Sequence, residues 1–387
     1  MARILVIADD FTGAAEMGGV AHLFGLSTRI ITDFSGPYPW SEEVIILDTH
    51  SRHLDPVAAS GKIENMLAPV GLSGIEMIYK KVDSVLRGPV ESEIKAVMFF
   101  AGKEKAVLIP ANPSRGRTIR NGKYYIDGVP IDQTDFINDP EYPRTSARVE
   151  RMVSDASEIQ TMGKFEPARI RNRIIIPDVY LPGHFKDIIV KISGNIFLPA
   201  GGADFFRALL QQKLKLSGVG NYTYHPPKGR THIILGSICE QSSRIISELQ
   251  KQGFSSFILP ENALTQEKEL ARWVNGIMEA VKSGREVIIA RPENKISDPS
   301  KILNITSIIS KATLQLIEYI TPDDELFIEG GETASTLFRN MGNMTLRVQE
   351  VIADGTVKLA LAEADICITV KPGSYIWPER IIFSGAN

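Results

Sequence analysis

Two adjacent acids, Asp9 and Asp10, follow the apolar run Ile4–Ile7 and precede Thr12, Gly13, Ala14 and Ala15. A short β-branched run of this kind is the pattern of a buried strand. The small residues after it let a helix start tight against a sheet. In an open parallel α/β sheet, ligands bind at the carboxyl ends of strands, beside helix N-termini. One helix cap accounts for one Asp or for Thr12, but not for two acids and a hydroxyl together. The active site is therefore to be sought here. A second chemistry-bearing stretch, Lys80–Gly88, reads KKVDSVLRG and also follows a strand pattern. Lys81 and Arg87 suit a carboxylate or phosphate, Arg with two parallel bonds. Asp83 suits a hydroxyl proton, with Ser84 beside it. A local ion pair at a helix start is the plain alternative, since surface charges often pair without function.

These residues need a scaffold that gathers strand ends. Ile4–Ile7, Thr28–Ile31, Val44–Leu47, Ile78–Lys80 and Ala106–Ile109 read as strands, and Ala14–Phe24, Pro56–Leu67 and Glu91–Phe100 carry helical periodicity. Such alternation predicts a parallel sheet with helices on its faces. Further polar groups fall at the strand ends: Asp48, Thr49 and Ser51, then Asn112 and Ser114. Turn and cap chemistry also favours these residue types. Arg115, Arg117 and Arg120 form a short cationic cluster near Asn112. His50 and His53 flank Arg52, but a metal site needs a third ligand, and His50 reads as a polar neighbour of the site.

Between Pro113 and Pro143 the chain is rich in Gly, Pro, Asp and Arg. Tyr124–Ile126 and Val129–Ile131 around Asp127-Gly128 predict a hairpin, placed as a lid or a homodimer contact. Ser146–Ser157 is expected to be helical and Arg173–Ile176 a strand, and Pro199–Leu210 a Gly-rich turn into a helix. The aperiodic stretch 217–230 predicts a linker, so residues 1–216 and 231–387 form the two expected domains.

The second half repeats the pattern. Thr231–Leu235, Phe257–Leu259, Val287–Ala290, Leu326–Ile328 and Ile366–Val370 read as strands, with helices at Gln241–Gln252, Leu264–Ser283, Ile305–Ile320 and Ala334–Met341. Three turns follow strands: Gly236-Ser237, Gly330-Gly331-Glu332-Thr333 and Gly373-Ser374. Glycine lets backbone N–H groups approach phosphate oxygens, and a helix N-terminus adds a favourable dipole. Three such turns in one domain point to a nucleotide, although neither a Walker A nor a GxGxxG pattern is present.

A chain of 387 residues exceeds one hydrophobic core. Hydrophobic content of 43% and charged content of 23% are ordinary for a globular protein. A net charge of -3 argues against a broadly basic face for nucleic acid. No long apolar run or leader-like start is present, so no membrane partner is expected. Cys239 and Cys367 lack CxxC spacing, which fits a reducing cytoplasm and neither a disulfide scaffold nor a structural metal.

ADDFTGA at 8–14, KKVDSVLRG at 80–88 and IPANPSRGRTIRNGKYYIDGVPIDQTDF at 109–136 resemble the four-carbon acid sugar kinase family. PAGGADF at 199–205, ILGSICEQSSRI at 234–245, EGGETAS at 329–335 and VKPGSYIW at 370–377 continue the resemblance. One departure is Lys371-Pro372-Gly373-Ser374, which carries one glycine fewer than the family's usual turn. The resemblance implies two α/β domains, the first holding a sugar acid and the second ATP. It implies ATP-dependent phosphorylation of the terminal 4-hydroxyl of an acid such as D-threonate, D-erythronate or a 3-oxotetronate. On this reading Asp10 or Asp83 takes the hydroxyl proton. Asp9, Thr12, Gly13, Lys81, Ser84, Arg87, Asn112 and Arg117 surround the acid. Ser237, Gly330, Gly331, Glu332, Thr333, Gly373 and Ser374 cradle ATP, with Mg²⁺ held chiefly by phosphate oxygens and water. A non-catalytic sugar-acid or nucleotide-binding regulator and a hydrolase of a phosphorylated acid stay open as alternatives.

Overall fold

The computed structural model describes residues 2–32, 41–139, 141–153, 158–192, 196–216, 219–237, 240–292, 298–342, 345–361, 366–373, 375–378 and 381. The chain divides into two units, Met1–Thr28 with Phe34–Gly220, and Arg29–Asp33 with Asn221–Asn387.

In the first unit, β1 (Ile4–Ala8) leads into α1 (Phe11–Leu23). Next in the chain comes β2 (Thr28–Ile31), which belongs to the second unit from Arg29 onward, and the first unit resumes with β3 (Val44–Asp48), α2 (Pro56–Leu67), β4 (Met77–Lys81), α3 (Val90–Phe100) and β5 (Lys105–Ile109). A small antiparallel sheet follows, of β6 (Arg117–Arg120), β7 (Lys123–Ile126) and β8 (Val129–Pro130). The unit closes with β9 (Ile159–Met162), β10 (Ile174–Pro177), α4 (Gly183–Lys191), β11 (Phe197–Gly201) and α5 (Ala203–Gln212). Its main sheet has the order β3-β1-β4-β11-β5-β10-β9, all parallel. β1 is buried along its whole length, as a central strand covered on both faces must be. Register decides the site: Ala8 aligns with Asp48 of β3 and with Lys81 of β4. The residues just past these three strands therefore meet at one end of the sheet. Helix α1 follows at once because Asp10, in extended backbone, caps it by accepting from the Gly13 N–H at 2.8 Å.

The hairpin predicted at Asp127-Gly128 is present, with φ of 49° and 82° at its two turn residues. Asn121-Gly122 repeats the device between β6 and β7, with φ of 52° and 67°. Both pairs meet the positive-φ demand of a tight two-residue turn. The helix expected over Ser146–Ser157 is corrected: Val149–Arg151 makes a single 3₁₀ turn, and residues 154–157 lie outside the described residues. β9, β11 and α4 were not expected. Phe197–Gly201, expected in part as a turn, extends as a buried strand between β4 and β5.

The second unit contains β12 (Thr231–Leu235), α6 (Glu240–Lys251), β13 (Ser255–Ile258), α7 (Glu267–Lys282), β14 (Val287–Ala290) and α8 (Pro299–Ile317). It continues with β15 (Glu325–Glu329), α9 (Gly331–Met341), β16 (Thr345–Ala353), β17 (Thr356–Leu361) and β18 (Cys367–Lys371). Strands β13-β14-β12-β15-β18 are parallel, and β17, β16 and β2 extend the sheet antiparallel. β2, expected within the first domain at residues 1–216, pairs here instead: Ile31, Ile30 and Arg29 lie opposite Thr345, Leu346 and Arg347. The stretch 217–230, expected as a linker, is in its latter part bound to the second unit. The Thr223 N–H donates to Val351 O at 3.0 Å, Tyr222 OH to Asp354 at 2.5 Å, and Lys358 Nζ to His225 O at 3.2 Å. Among the described residues no helix is long and apolar enough to cross a membrane.

Candidate active site

At the shared strand end of the first unit, Asp9 and Asp10 extend from β1, and Asp83 follows β4. Arg52 arrives on the segment after β3. That segment turns sharply at His50 (φ 45°), and the Ser51 and Arg52 N–H groups both donate to Asp9 O, at 3.0 and 3.3 Å. The Arg52 guanidinium then lies among three carboxylates. Nε is 2.7 Å from Asp9 Oδ2, and Nη1 is 2.6 Å from Asp10 Oδ2 and 3.8 Å from Asp83 Oδ1. Burial opposes the charge on Arg52, but Asp10, Asp9 and Asp83 hold its pKa well above the ordinary value. Burial likewise pushes Asp9 up, and Arg52, Lys80 and Lys81 overcome it and lower its pKa.

Asp83 is fully engaged. Oδ2 accepts from the Val85 and Arg87 N–H groups at 3.1 Å each and from Arg87 Nε at 3.1 Å, while Oδ1 accepts from Arg87 Nη2 at 2.9 Å. Burial raises its pKa, but Arg87 and then Arg52 hold the carboxyl well below the usual range. The predicted Asp83–Arg87 juxtaposition is thus an ion pair, with Arg87 also 3.5 Å from Asp139. Asp10 differs: one oxygen caps α1, the other meets Arg52, and its side chain keeps 19% exposure against 7% for Asp83.

Lys81 lies over the start of α1. A Cβ on Gly13 would fall 2.8 Å from Asp10 Oδ1 and 3.1 Å from Lys81 Nζ, so Gly13 allows this approach. Lys81 Nζ also donates to Val82 O at 3.0 Å and lies 3.5 Å from Glu16. Beneath, Lys80 is 3.0 Å from the buried Glu93, which accepts from Ser51 Oγ. Burial, with Asp9 adding to it, raises the Glu93 pKa against the opposing Lys80. Arg117 Nη1 donates to Ser84 Oγ, and Tyr124 OH to Ser84 O at 2.6 Å. Asn112 turns instead to β11 and α5: its Oδ1 accepts from the Asp204 N–H at 3.0 Å, and Gly202 leaves room for its amide. Thr12 is half-buried in the first turn of α1.

The structure thus brings together Asp9, Asp10, Gly13, Lys81, Asp83 and Arg87, joins Ser84 to Arg117, and sets Asn112 in a different network. Arg52, Glu93 and Tyr142 were missed as contributors. Tyr142 OH donates to Arg52 O at 2.7 Å, and nearby Glu141 holds His53 at 2.6 Å. Among the described residues no group of three or more His, Cys, Asp or Glu side chains could hold a metal ion.

In the second unit, the three Gly turns follow β12, β15 and β18. A Cβ on Gly236 would fall 1.9 Å from Thr333 Oγ1, and one on Gly373 2.7 Å from Ser237 Oγ. Gly330 has φ 106°, a conformation that favours glycine, where the chain turns from β15 into α9. All three turns are anchored on Glu329, the buried last residue of β15. It accepts from Ser237 Oγ and from Trp377 Nε1 at 2.5 Å, and meets Lys371 Nζ at 3.1 Å. Lys371 also donates to Pro372 O and Tyr375 O. Glu332 pairs with Arg339 at 3.2 Å, and Ser374 lies outside the described residues. The Gly236 and Gly330 N–H groups donate to Glu329 O and Lys371 O at 2.9 Å each, so the feature that suits a phosphate-sized anion is the N-terminus of α9 that these tight turns leave uncrowded.

Residues 4–174 match the model of a sugar-binding N-terminal domain, and residues 232–375 that of a nucleotide-binding C-terminal domain. The chain belongs to the four-carbon acid sugar kinase family. Within this family, it is 34% identical over 158 residues to the D-threonate kinase of Salmonella typhimurium, covering 41% of this chain and 37% of that one. The alignment thus spans well under half the length of that relative. It is 23% identical to the D-threonate kinase of Cupriavidus necator, over 91% of this chain and 88% of that one. A solved structure from Salmonella typhimurium LT2, provisionally assigned as a tRNA synthase, shares the fold. Its TM-score is 0.78 at 18% identity, covering 100% of this chain and 99% of that one.

Proposed function

We propose that the protein is an ATP-dependent kinase that phosphorylates the 4-hydroxyl of a four-carbon sugar acid, with D-threonate the first acid to test. The observation that carries this reading is the cluster in which Arg52 binds Asp9 and Asp10 at the start of α1. It lies in the unit that matches a sugar-binding domain. The D-threonate kinases among the relatives support the choice of acid.

Phosphoryl transfer asks mainly for positioning and charge neutralisation, with a base for the attacking hydroxyl. Asp10 is that base. Asp83 has both oxygens engaged and is held strongly ionised, whereas Asp10 is the more exposed carboxylate at the α1 N-terminus. As the acceptor oxygen bonds to the γ-phosphorus, its proton passes to Asp10, and the bond from that phosphorus to the bridging oxygen breaks to leave ADP. Lys81 steadies the transferring group beside Asp10, and Arg87, with Arg117 and Ser84, contacts the acid. Thr12 and Gly13 complete the first turn of α1 around it. In the second unit the backbone N–H groups of Gly331, Thr333 and Gly373, with Ser237, hold the phosphates, while Gly236 and Gly330, whose own N–H groups donate to Glu329 O and Lys371 O, let the chain turn tightly around them. Mg²⁺, carried by phosphate oxygens and water, offsets their charge.

The test is ADP release from Mg·ATP with D- and L-threonate, D- and L-erythronate and the 3-oxo acids. Turnover with one acid supports the reading and names the substrate. Binding of acid and nucleotide without turnover on any of them would replace it with a binding regulator, and phosphate release from a phosphorylated acid without ATP would replace it with a hydrolase.

A further inference from the structure

A triphosphate brings several negative charges, and backbone amides alone offset them poorly, so phosphate sites commonly add an Arg or Lys. Two cations stand at strand ends of the second unit's parallel sheet among the described residues: Lys371, the last residue of β18, and Arg291, just after β14. Lys371 is already held by the buried carboxylate of Glu329 and by two carbonyls. Arg291 has no carboxylate partner among the described residues, and its buried Nε makes no hydrogen bond. Burial alone acts on its pKa, lowering it.

Its position is set by the strands. Ala290 aligns with Leu235, and the Arg291 N–H continues the ladder by donating to Leu235 O at 3.2 Å, so Arg291 stands beside Gly236. Ile288, Ala290, Ile233, Leu235 and Phe327 face one core, shared with Trp377. Side chains alternate along a strand, so Arg291 and Gly236 belong to the opposite face. That is the face of α9's first turn, since a Cβ on Gly236 would run into Thr333 Oγ1. Two strand spacings, about 10 Å, separate β14 from β15 and the start of α9. An unpartnered, partly buried guanidinium thus shares a sheet face and strand end with two glycine turns and a helix N-terminus.

We propose that Arg291 binds the phosphate chain of the nucleotide, supplying the cation that the glycine turns and the α9 N-terminus lack. The proposal rests on the nucleotide reading of the second unit. It makes an unusual demand: the residue should contribute nothing to the stability of the ligand-free protein, because its buried donor is unsatisfied there.

The experiment is calorimetric titration of the full chain and its Arg291→Met and Arg291→Lys variants with Mg·ATP and with adenosine, alongside Tm without ligand. The expected result for Arg291→Met is roughly 10- to 100-fold weaker binding of Mg·ATP, the range of one charged hydrogen-bonded contact. Adenosine affinity should stay unchanged, and the ligand-free Tm should equal or exceed the parent's. Arg291→Lys should recover part of the loss. Mg·ATP affinity within twofold of the parent in Arg291→Met would overturn the proposal. Failure of that variant to fold, or parallel loss of adenosine affinity and Tm, would overturn it as well, by making Arg291 structural. A parent chain that binds no nucleotide would remove the reading of the whole unit, and this assignment with it.

Discussion

Arg52 joins Asp9 to Asp10, with Nε 2.7 Å from one carboxylate and Nη1 2.6 Å from the other. Asp9 is buried and its second oxygen makes no hydrogen bond, so Arg52 is the main compensation for that charge. Arg52→Met should destabilise the protein by about 3–5 kcal/mol, the cost of stranding a buried charge. Urea unfolding of the variant measures it. A loss below about 1 kcal/mol would show that Lys80 and Lys81 hold Asp9 unaided.

Asp10 and Asp83 should separate in kinetics. Asn is as good a helix cap as Asp, so Asp10→Asn should keep the fold while kcat falls about 10²- to 10⁴-fold, the usual share of a general base. Asp83→Asn strips the Arg87 pair and should lower stability by roughly 2–4 kcal/mol, with its larger kinetic effect on KM for the acid. Steady-state kinetics and unfolding of both variants decide. The opposite pattern would exchange the two roles.

His232 should give the protein a pH dependence separate from its acids. Burial, with Arg230 adding to it, holds the imidazole pKa down to about 4. An unfolded His binds its proton near pH 6.5. The unfolded chain therefore takes up a proton between pH 6.5 and 4 that the folded chain refuses. Stability should be full above that window and fall through it by about 3 kcal/mol. Asp9, Asp83 and Asp324 all have lowered pKa values, so their contributions are lost only below the ordinary Asp range, near pH 4. His232→Asn keeps an acceptor for the Val287 N–H and should flatten only the upper window. Unfolding free energy measured from pH 8 to 3 tests this.

The Lys371–Glu329 pair offers a contrast between single and double changes. Lys371→Met or Glu329→Gln alone leaves one buried charge and should cost about 3–5 kcal/mol, whereas the double variant should recover most of it. The double variant also loses the bonds from Lys371 to Pro372 O and Tyr375 O, so nucleotide binding should weaken although stability returns. Recovery of both together would mean the pair does not position the turn.

The acids and the Lys80–Gly88 stretch were legible because each directly follows a buried β-branched run, and strand register does the rest. Arg52 was hidden between two histidines that resembled a metal motif. Its role depends on the turn at His50 (φ 45°), which local spacing does not encode. Asn112 carried the right residue type at a strand end, but its amide is drawn off by the Asp204 N–H. The β16–β17 hairpin had a readable signal in Asp354-Gly355 between alternating residues, and Gly355 adopts φ 70° there. Arg291 gave no signal at all, because an Arg at the end of an apolar strand is indistinguishable from a solvated one until its partners are known.

Strand β2 pairs with β16, though it leaves the ribosome long before it. The later unit therefore has to reach back for a piece of chain made near the start of synthesis. A protein divided at residue 220 and expressed as two halves would carry that strand on the wrong fragment, leaving β16 with an unpaired row of backbone groups. Inheritance follows the same logic: a recombination event that traded one half for a relative's would also trade an edge of the other half's sheet. The two halves should therefore travel through evolution as one gene, held by a strand of four residues.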